Sequence, residues 1–221
     1  MTTDLATQLL ELRRAILTMG AVVDARVERV VEAFSQSDFN AAREIRHGDR
    51  EVDSMEIDIE QICLEVLALF QPVARDLRFV LAVLRINGEL ERIADLAKGI
   101  AKRVLRLDSL TGAQVPPMLG QMAAVARGML TDALNALSDS DVELARQIRR
   151  RDREVDDYQR QILDWVQQEI ASQAANSETT VGILAVAGKL ERIADIATNI
   201  AEDVIFLVEG KVVRHSRLDQ D

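Results

Sequence analysis

Residues 88–97 read Gly-Glu-Leu-Glu-Arg-Ile-Ala-Asp-Leu-Ala, and residues 188–197 read Gly-Lys-Leu-Glu-Arg-Ile-Ala-Asp-Ile-Ala. A second match lies upstream, where residues 42–53 and 145–156 share the pattern Ala-Arg-x-Ile-Arg-x-x-Asp-Arg-Glu-Val-Asp. The two matches are offset by 100 and 103 positions. Matching blocks in the same order at nearly the same offset indicate an internal duplication. The chain is therefore predicted to consist of two similar units, residues 1–110 and 111–221.

Apolar residues recur at steps of three and four through the last part of each unit, from Val83 to Leu107 and from Ile183 to Leu207. This spacing places them on one face of a helix. Each unit is expected to contain three helices, at about 5–34, 38–70 and 72–107, and at about 118–138, 141–173 and 178–209. Ser37 or Asp38 is the expected cap of the second helix, and Pro72 suits the first turn of the third. The predicted fold is all-α, a tandem repeat of two three-helix bundles with six long helices.

The composition argues against several classes of protein. The formal net charge is −10, so free nucleic acid and anionic membrane surfaces should repel the chain. The N-terminal residues lack a signal-peptide pattern, and no run approaches the roughly 18 apolar residues that a membrane span needs. Cys63 is the only cysteine, which excludes an internal disulfide. We expect a cytoplasmic protein that neither binds nucleic acid nor inserts into a membrane.

Each predicted unit carries two pairs of carboxylates spaced four residues apart, a spacing that places both members on one helix face. The pairs are Asp49/Asp53, Glu91/Asp95, Asp152/Asp156 and Glu191/Asp195. Those on the third helices are expected on the outer face of the bundle. Stacked like charges destabilise a helix, and a hard cation such as Mg²⁺, Ca²⁺, Mn²⁺ or Fe³⁺ would offset that repulsion. The alternative is a solvated face neutralised by adjacent arginines such as Arg92 and Arg192.

Groups suited to catalysis are scarce. Glu44 and His47 form a Glu-x-x-His pair of the kind that di-iron enzymes use twice, but the second unit has Gln147 and Arg150 at these positions. No glycine-rich phosphate loop is present in the sequence. We therefore expect no catalytic residues and no enzymatic activity.

The segments Gln71-Pro-Val-Ala-Arg-Asp-Leu-Arg78 and Leu90-Glu-Arg-Ile-Ala-Asp95 are similar to the first half of PhoU-type phosphate-signalling proteins. Residues 190–202 resemble the second half, so the resemblance covers nearly the whole chain. It implies a negative regulator of phosphate uptake and of the phosphate-starvation response, often a homodimer. The implied partners are the ATPase of the phosphate ABC transporter and a sensor histidine kinase, which would hold the protein peripherally at the membrane.

In some members of that family, the acidic-x-x-x-acidic motifs hold iron or zinc clusters. The resemblance and the spacing together give candidate ligands for Fe, Zn, Mg or Mn, namely Asp49, Asp53, Glu91, Asp95, Asp152, Asp156, Glu191, Asp195 and Glu202. The second site is expected to bind better, because Lys98 and Lys102 follow Asp95 where the second unit has Thr198 and Glu202.

Two other interpretations remain open. The chain would be a helical scaffold or adaptor of another signalling system, with no metal role, if its acidic stripes are only solvated. A metal-dependent hydrolase is disfavoured, because carboxylates on an outer face do not form a cleft.

Overall fold

The computed structural model describes residues 4–107, 115–172 and 177–213, apart from the side chains of His47, Asp49, Leu107 and Ser177. These ranges contain seven helices and no strand, which confirms the all-α prediction. The helices are α1 (Leu5–Gln36), α2 (Phe39–His47), α3 (Asp49–Phe70), α4 (Ala74–Leu107), α5 (Pro117–Asp139), α6 (Val142–Ser172) and α7 (Ser177–Glu209). None of the helices in these ranges has the length and apolarity that crossing a membrane requires.

The helix ends follow the local sequence. Of the two predicted caps of α2, Asp38 is the one observed, since its Oδ1 accepts from the backbone N–H groups of Asn40 and Ala41, both at 3.0 Å. Asp141 caps α6 in the same way through the backbone N–H of Leu144, at 3.0 Å. Pro117 occupies the first position of α5. The prediction that Pro72 lies in the first turn of the third helix is wrong, because α4 begins at Ala74 and Pro72 precedes it.

The second helix of the first unit, predicted to be continuous over 38–70, is interrupted at Gly48. The ψ angle of Gly48 is 17°, which turns its carbonyl out of the helical path. That carbonyl accepts a hydrogen bond from Nη2 of Arg26 on α1, at 2.6 Å. The counterpart in the second unit, α6, has Arg151 at this repeat position and runs through without a break.

The predicted apolar stripes of α4 and α7 are buried in one continuous core. Leu90 is fully buried and Leu190 is 2% exposed, and both helices pack against the other helices of their own unit. The units are joined along α4 and α7 and along α1 and α5. At the second contact the helices approach closely at Gly20, because a β-carbon there would lie 2.6 Å from Leu134 Cδ2 and the leucine side chain would have to shift. The predicted boundary at residues 110 and 111 lies outside the described residues.

Helices α4 and α7 run antiparallel. Arg78 near the start of α4 donates to the carbonyl of Leu207 near the end of α7, at 3.3 Å. Two turns further along α4, Arg85 pairs with Asp203 at 3.1 Å, and Asp203 is only 1% exposed. The two predicted third helices therefore lie side by side, with the acidic pairs of each near the middle of the contact.

Candidate functional site

Four predicted carboxylates of the second unit lie on the packed pair α6 and α7, close enough for their charges to interact between the helices. Asp152 and Asp156 lie on α6, and Glu191 and Asp195 lie on α7. Burial raises the pKa of Asp152 to about 6, and the nearby charges of Asp195 and Asp156 add to this effect. We call these four residues the second-unit carboxylate cluster.

The α7 members of the cluster respond to the same charges. Burial raises the pKa of Glu191, and the charges of Asp195 and Asp156 raise it further. Burial and the charge of Asp156 also raise the pKa of Asp195, although a hydrogen bond from Glu191 opposes them. Burial is therefore the main cause of the raised carboxyl pKa values on both helices, and repulsion among the carboxylates adds to it.

The predicted outer-face position is only partly correct. Asp156 and Asp195 are exposed, whereas Asp152 and Glu191 are half-buried. Helix α6 packs against α7, and the charges of Asp152 and Glu191 interact across that contact. A bound cation would therefore lie between two helices and not on an isolated helix surface.

The structure does not bring Glu202 into the cluster. Its carboxylate is only 11% exposed and lies 3.3 Å from Nε of Arg149, which is itself 6% exposed. Seven residues separate Glu202 from Asp195, which is about 10 Å along a helix. Glu202 lay on the correct stripe of α7, but the sequence pattern could not show that Arg149 of α6 faces it.

The first unit presents its carboxylates differently. The side chain of Asp49 lies outside the described residues, Asp53 is exposed and Glu91 is half-buried. Asp95 is 59% exposed, and its Oδ1 lies 3.7 Å from Nζ of Lys98. Lysine therefore contacts a candidate ligand in this unit, as expected from the sequence.

A further acidic stripe runs along α3. Burial raises the pKa of Glu56, and the charges of Glu60 and Asp53 raise it further. These residues all belong to α3, so this repulsion runs along one helix. In the second unit the corresponding repulsion connects two helices.

The donor chemistry of the second-unit carboxylate cluster fits a hard cation, because all its donors are carboxylate oxygens. The geometry is not that of a preformed cage. Within the described residues, no three His, Cys, Asp or Glu side chains form a group that could hold a metal ion. Coordination by three or four of these residues would require side-chain rotation, which the exposed positions of Asp156 and Asp195 permit.

Sequence reasoning missed a cationic groove between α4 and α7, which has a volume of about 370 Å³. Its lining residues are Asp95, Lys98, Gly99, Lys102, Arg103, Arg106 and Lys189. Burial lowers the pKa of Lys189, and the charges of Arg192, Arg103 and Lys102 lower it further. The only sequence signal was Lys98 and Lys102, which we had considered solely as competitors for the carboxylates. Lys189 could not be added without knowing how the two units pack.

Two helical units in tandem, joined through their third helices and carrying acidic stripes, define a class of duplicated helical-bundle proteins. A family model described as "PhoU domain" matches this chain twice, over residues 16–104 and 119–204. The chain belongs to the PhoU family. This finding confirms the resemblance noted from the sequence.

Individual relatives agree with this assignment. The chain is 34% identical over 200 residues to the "Phosphate-specific transport system accessory protein PhoU homolog" of Zymomonas mobilis, covering 90% of this chain and 84% of that protein. It is 30% identical to the Escherichia coli "Phosphate-specific transport system accessory protein PhoU", over 94% of this chain and 86% of the relative.

Solved structures show the same fold. The crystal structure of PhoU from Pseudomonas aeruginosa superimposes with a TM-score of 0.90 at 29% identity, covering 94% of this chain and 100% of the other. The phosphate transport system regulatory protein PhoU from Streptococcus pneumoniae gives a TM-score of 0.88 at 29% identity, covering 95% and 99%.

Proposed function

We propose that this chain is an accessory protein of a phosphate-specific transport system and a negative regulator of phosphate uptake and of the phosphate-starvation response. The observation that carries the proposal is the family match in both units, together with relatives named as accessory proteins of that system over at least 90% of this chain. A shared role is better supported when both repeats match than when only one does. We also propose that the protein has no enzymatic activity.

The regulator acts by protein–protein contact with the transporter ATPase and the sensor histidine kinase, and as a homodimer. Its net charge of −10 opposes direct adsorption to an anionic bilayer. Proteins of the membrane complex would therefore recruit it, which gives a cytoplasmic protein peripheral to the membrane. The contact residues are not assigned, because no motif in the chain fixes them.

The second-unit carboxylate cluster is the proposed cation site. Asp152 and Asp156 from α6, with Glu191 and Asp195 from α7, would hold a divalent or ferric ion, and the ion would neutralise their mutual repulsion. The raised pKa values of three of these residues support this role. Neutralisation would also bring α6 and α7 closer at this point, so the ion would have a structural effect.

The test of the regulatory role is a deletion strain. Phosphate-starvation genes, followed with a promoter reporter, should stay active in high phosphate and be repressed again when the wild-type gene is supplied on a plasmid. The empty plasmid is the matched control. Normal repression in the deletion strain, after any second copy of the gene has also been removed, would favour a scaffold or adaptor of another signalling system.

A further inference from the structure

The cationic groove between α4 and α7 concentrates positive charge in a chain that is strongly acidic overall. Five of its lining residues are cationic, and Asp95 is the one carboxylate among the described lining residues. Because Lys98 lies 3.7 Å from Asp95, that carboxylate is already partly compensated. The remaining cations face the same space, so together they give the groove a positive potential that attracts anions.

The groove depends on a close approach between the two units. Lys189 of α7 extends across α4 at Gly99, and a β-carbon at Gly99 would lie 2.8 Å from both Cε and Nζ of Lys189. Any residue larger than glycine would therefore displace the end of this lysine. As a result, the second unit contributes one cation to the row of basic residues that α4 of the first unit places along the groove.

The row has no counterpart at the other end of the α4–α7 contact. The positions that correspond to Lys98, Lys102, Arg103 and Arg106 in the second unit are Thr198, Glu202, Asp203 and Phe206. Glu202 pairs with Arg149, and Asp203 pairs with Arg85. The duplicated gene therefore placed opposite charges at the two ends of one antiparallel helix pair. The basic end is a distinct feature and does not follow from the fold alone.

We propose that the cationic groove binds a condensed phosphate anion, a chain of phosphoryl groups such as pyrophosphate, tripolyphosphate or the phosphate chain of a nucleotide. Lys98, Lys102 and Arg106 are spaced four residues apart on α4, so the row is about 12 Å long. A single tetrahedral phosphate cannot contact all of such a row, whereas a linear polyanion can. Arg103 and Lys189 add donors along the same groove, and guanidinium groups bind phosphoryl oxygens in a fixed fork.

The test is calorimetric titration of the purified protein, at about 0.15 M salt, where long-range charge effects are screened. Tripolyphosphate should bind more tightly than pyrophosphate, and orthophosphate and sulfate more weakly than either. ATP should match tripolyphosphate if the contacts are to the phosphate chain. An acidic peptide of equal charge should bind more weakly, and tighter binding of the peptide would instead indicate a protein ligand and overturn the proposal.

Two variants locate the site. Lys102→Gln/Arg103→Gln should weaken tripolyphosphate binding by about tenfold or more, because charge-assisted contacts are lost. The matched control, Arg14→Gln/Arg160→Gln, removes two charges from α1 and α6 and should change the affinity by less than about twofold after screening. Equal losses in the two variants would mean that binding is nonspecific.

The variant Gly99→Ala distinguishes an effect on binding in the groove from an effect on the stability of the fold. An alanine within a helix is more stable than a glycine, so this variant should unfold no more easily than the wild type. It should nevertheless bind tripolyphosphate several-fold more weakly, because Lys189 is displaced. The control is Gly88→Ala on the same helix, where a β-carbon meets nothing within 4 Å. Unchanged binding by Gly99→Ala, or no binding by the wild type, would overturn the proposal. A failed titration would leave the regulatory role standing, and normal repression in the deletion strain would leave the groove standing.

Discussion

The repeated sequence forms two helices, α2 and α3, in the first unit and one continuous helix, α6, in the second. In the first unit the helix is broken at Gly48, whose carbonyl is held by Arg26 at 2.6 Å. In the second unit α6 passes through Arg151, whose Nη1 donates to Asp132 at 2.6 Å. The same repeat position thus ends a helix in one unit and ties α6 to α5 in the other.

This difference affects the carboxylates directly downstream. Asp152 lies inside a continuous helix, where burial raises its pKa and the charge of Asp195 on α7 raises it further. Asp49, its repeat counterpart, is the first residue of a new helix. Duplicated ligand motifs therefore do not imply duplicated sites, because the backbone that positions them has diverged.

The largest effect expected from this comparison concerns bound metal. Glu191→Ala/Asp195→Ala should remove most of the metal that copurifies in a non-chelating buffer, because two of the four facing carboxylates are lost. Glu91→Ala/Asp95→Ala should remove less, since Lys98 already contacts Asp95 at 3.7 Å. Elemental analysis per protein chain measures both.

Circular dichroism of the two double variants is the control for folding. Equal loss of metal, or a greater loss from the first-unit variant, would contradict the predicted order of the sites. A wild-type protein without metal would show that the acidic stripes are solvated surfaces.

The next effect concerns the break itself. Arg26→Met introduces the apolar residue that the second unit has at the corresponding position, Met129. Because the side chain of Arg26 is almost buried and donates to Gly48, the change should lower the free energy of unfolding by about 1.5–3 kcal/mol. Urea unfolding measures the loss. Arg14→Met on the exposed face of α1 should change stability by less than about 0.5 kcal/mol. Equal values would mean that the Arg26 contact contributes nothing.

Sequence reasoning predicted the fold because the apolar repeat on α4 and α7 is long and uninterrupted, and its members such as Leu90 and Ile193 are buried. It predicted that the two members of each carboxylate pair share a helix face, since spacing by four fixes this, but it did not predict how far Asp152 and Glu191 are buried. It did not predict the break at Gly48, where the carbonyl accepts a hydrogen bond from a side chain 22 positions away on another helix. For the same reason it misplaced Glu202, whose partner Arg149 comes from α6.

A smaller effect follows from the raised pKa of Asp152, about 6. The unfolded chain has a lower pKa, so between about pH 4 and 6 the folded state binds more protons and stability falls as pH rises. In metal-free protein, Asp152→Asn should therefore raise the free energy of unfolding by about 1 kcal/mol at pH 7, after allowance for solvent screening. At pH 4 it should leave the free energy of unfolding unchanged.

Urea unfolding in the presence of a chelator, at both pH values, checks this prediction. Asp53→Asn is the control in the first unit. Because the side chain of Asp53 is exposed, this variant should change stability by less than about 0.5 kcal/mol. A gain for Asp152→Asn that persists at pH 4 would show that ionisation is not its cause.

The smallest effect decides what causes the break in the first unit. The φ angle of Gly48 is −82°, which any residue adopts, so glycine is not required there by the backbone. A β-carbon would meet the Glu44 carbonyl oxygen at 3.5 Å and Arg26 Nη2 at 3.8 Å, both ordinary contacts. If Arg26 holds the break, Gly48→Ala should keep it and raise the free energy of unfolding by about 0.4–1 kcal/mol through the less flexible unfolded chain.

Urea unfolding measures this gain, with Gly120→Ala on α5 as a control, since a β-carbon there meets nothing within 4 Å. The double variant Arg26→Met/Gly48→Ala adds a sharper test. Because Arg26 contacts Gly48, the effects of the two substitutions on the free energy of unfolding should not be additive. Gly48→Ala should stabilise the Arg26→Met protein more than the wild type, because the carbonyl of residue 48 is then free to rejoin a continuous helix. Higher helicity of the double variant by circular dichroism would accompany that gain. If Gly48→Ala alone destabilises the protein, the break depends on glycine itself and Arg26 only follows it.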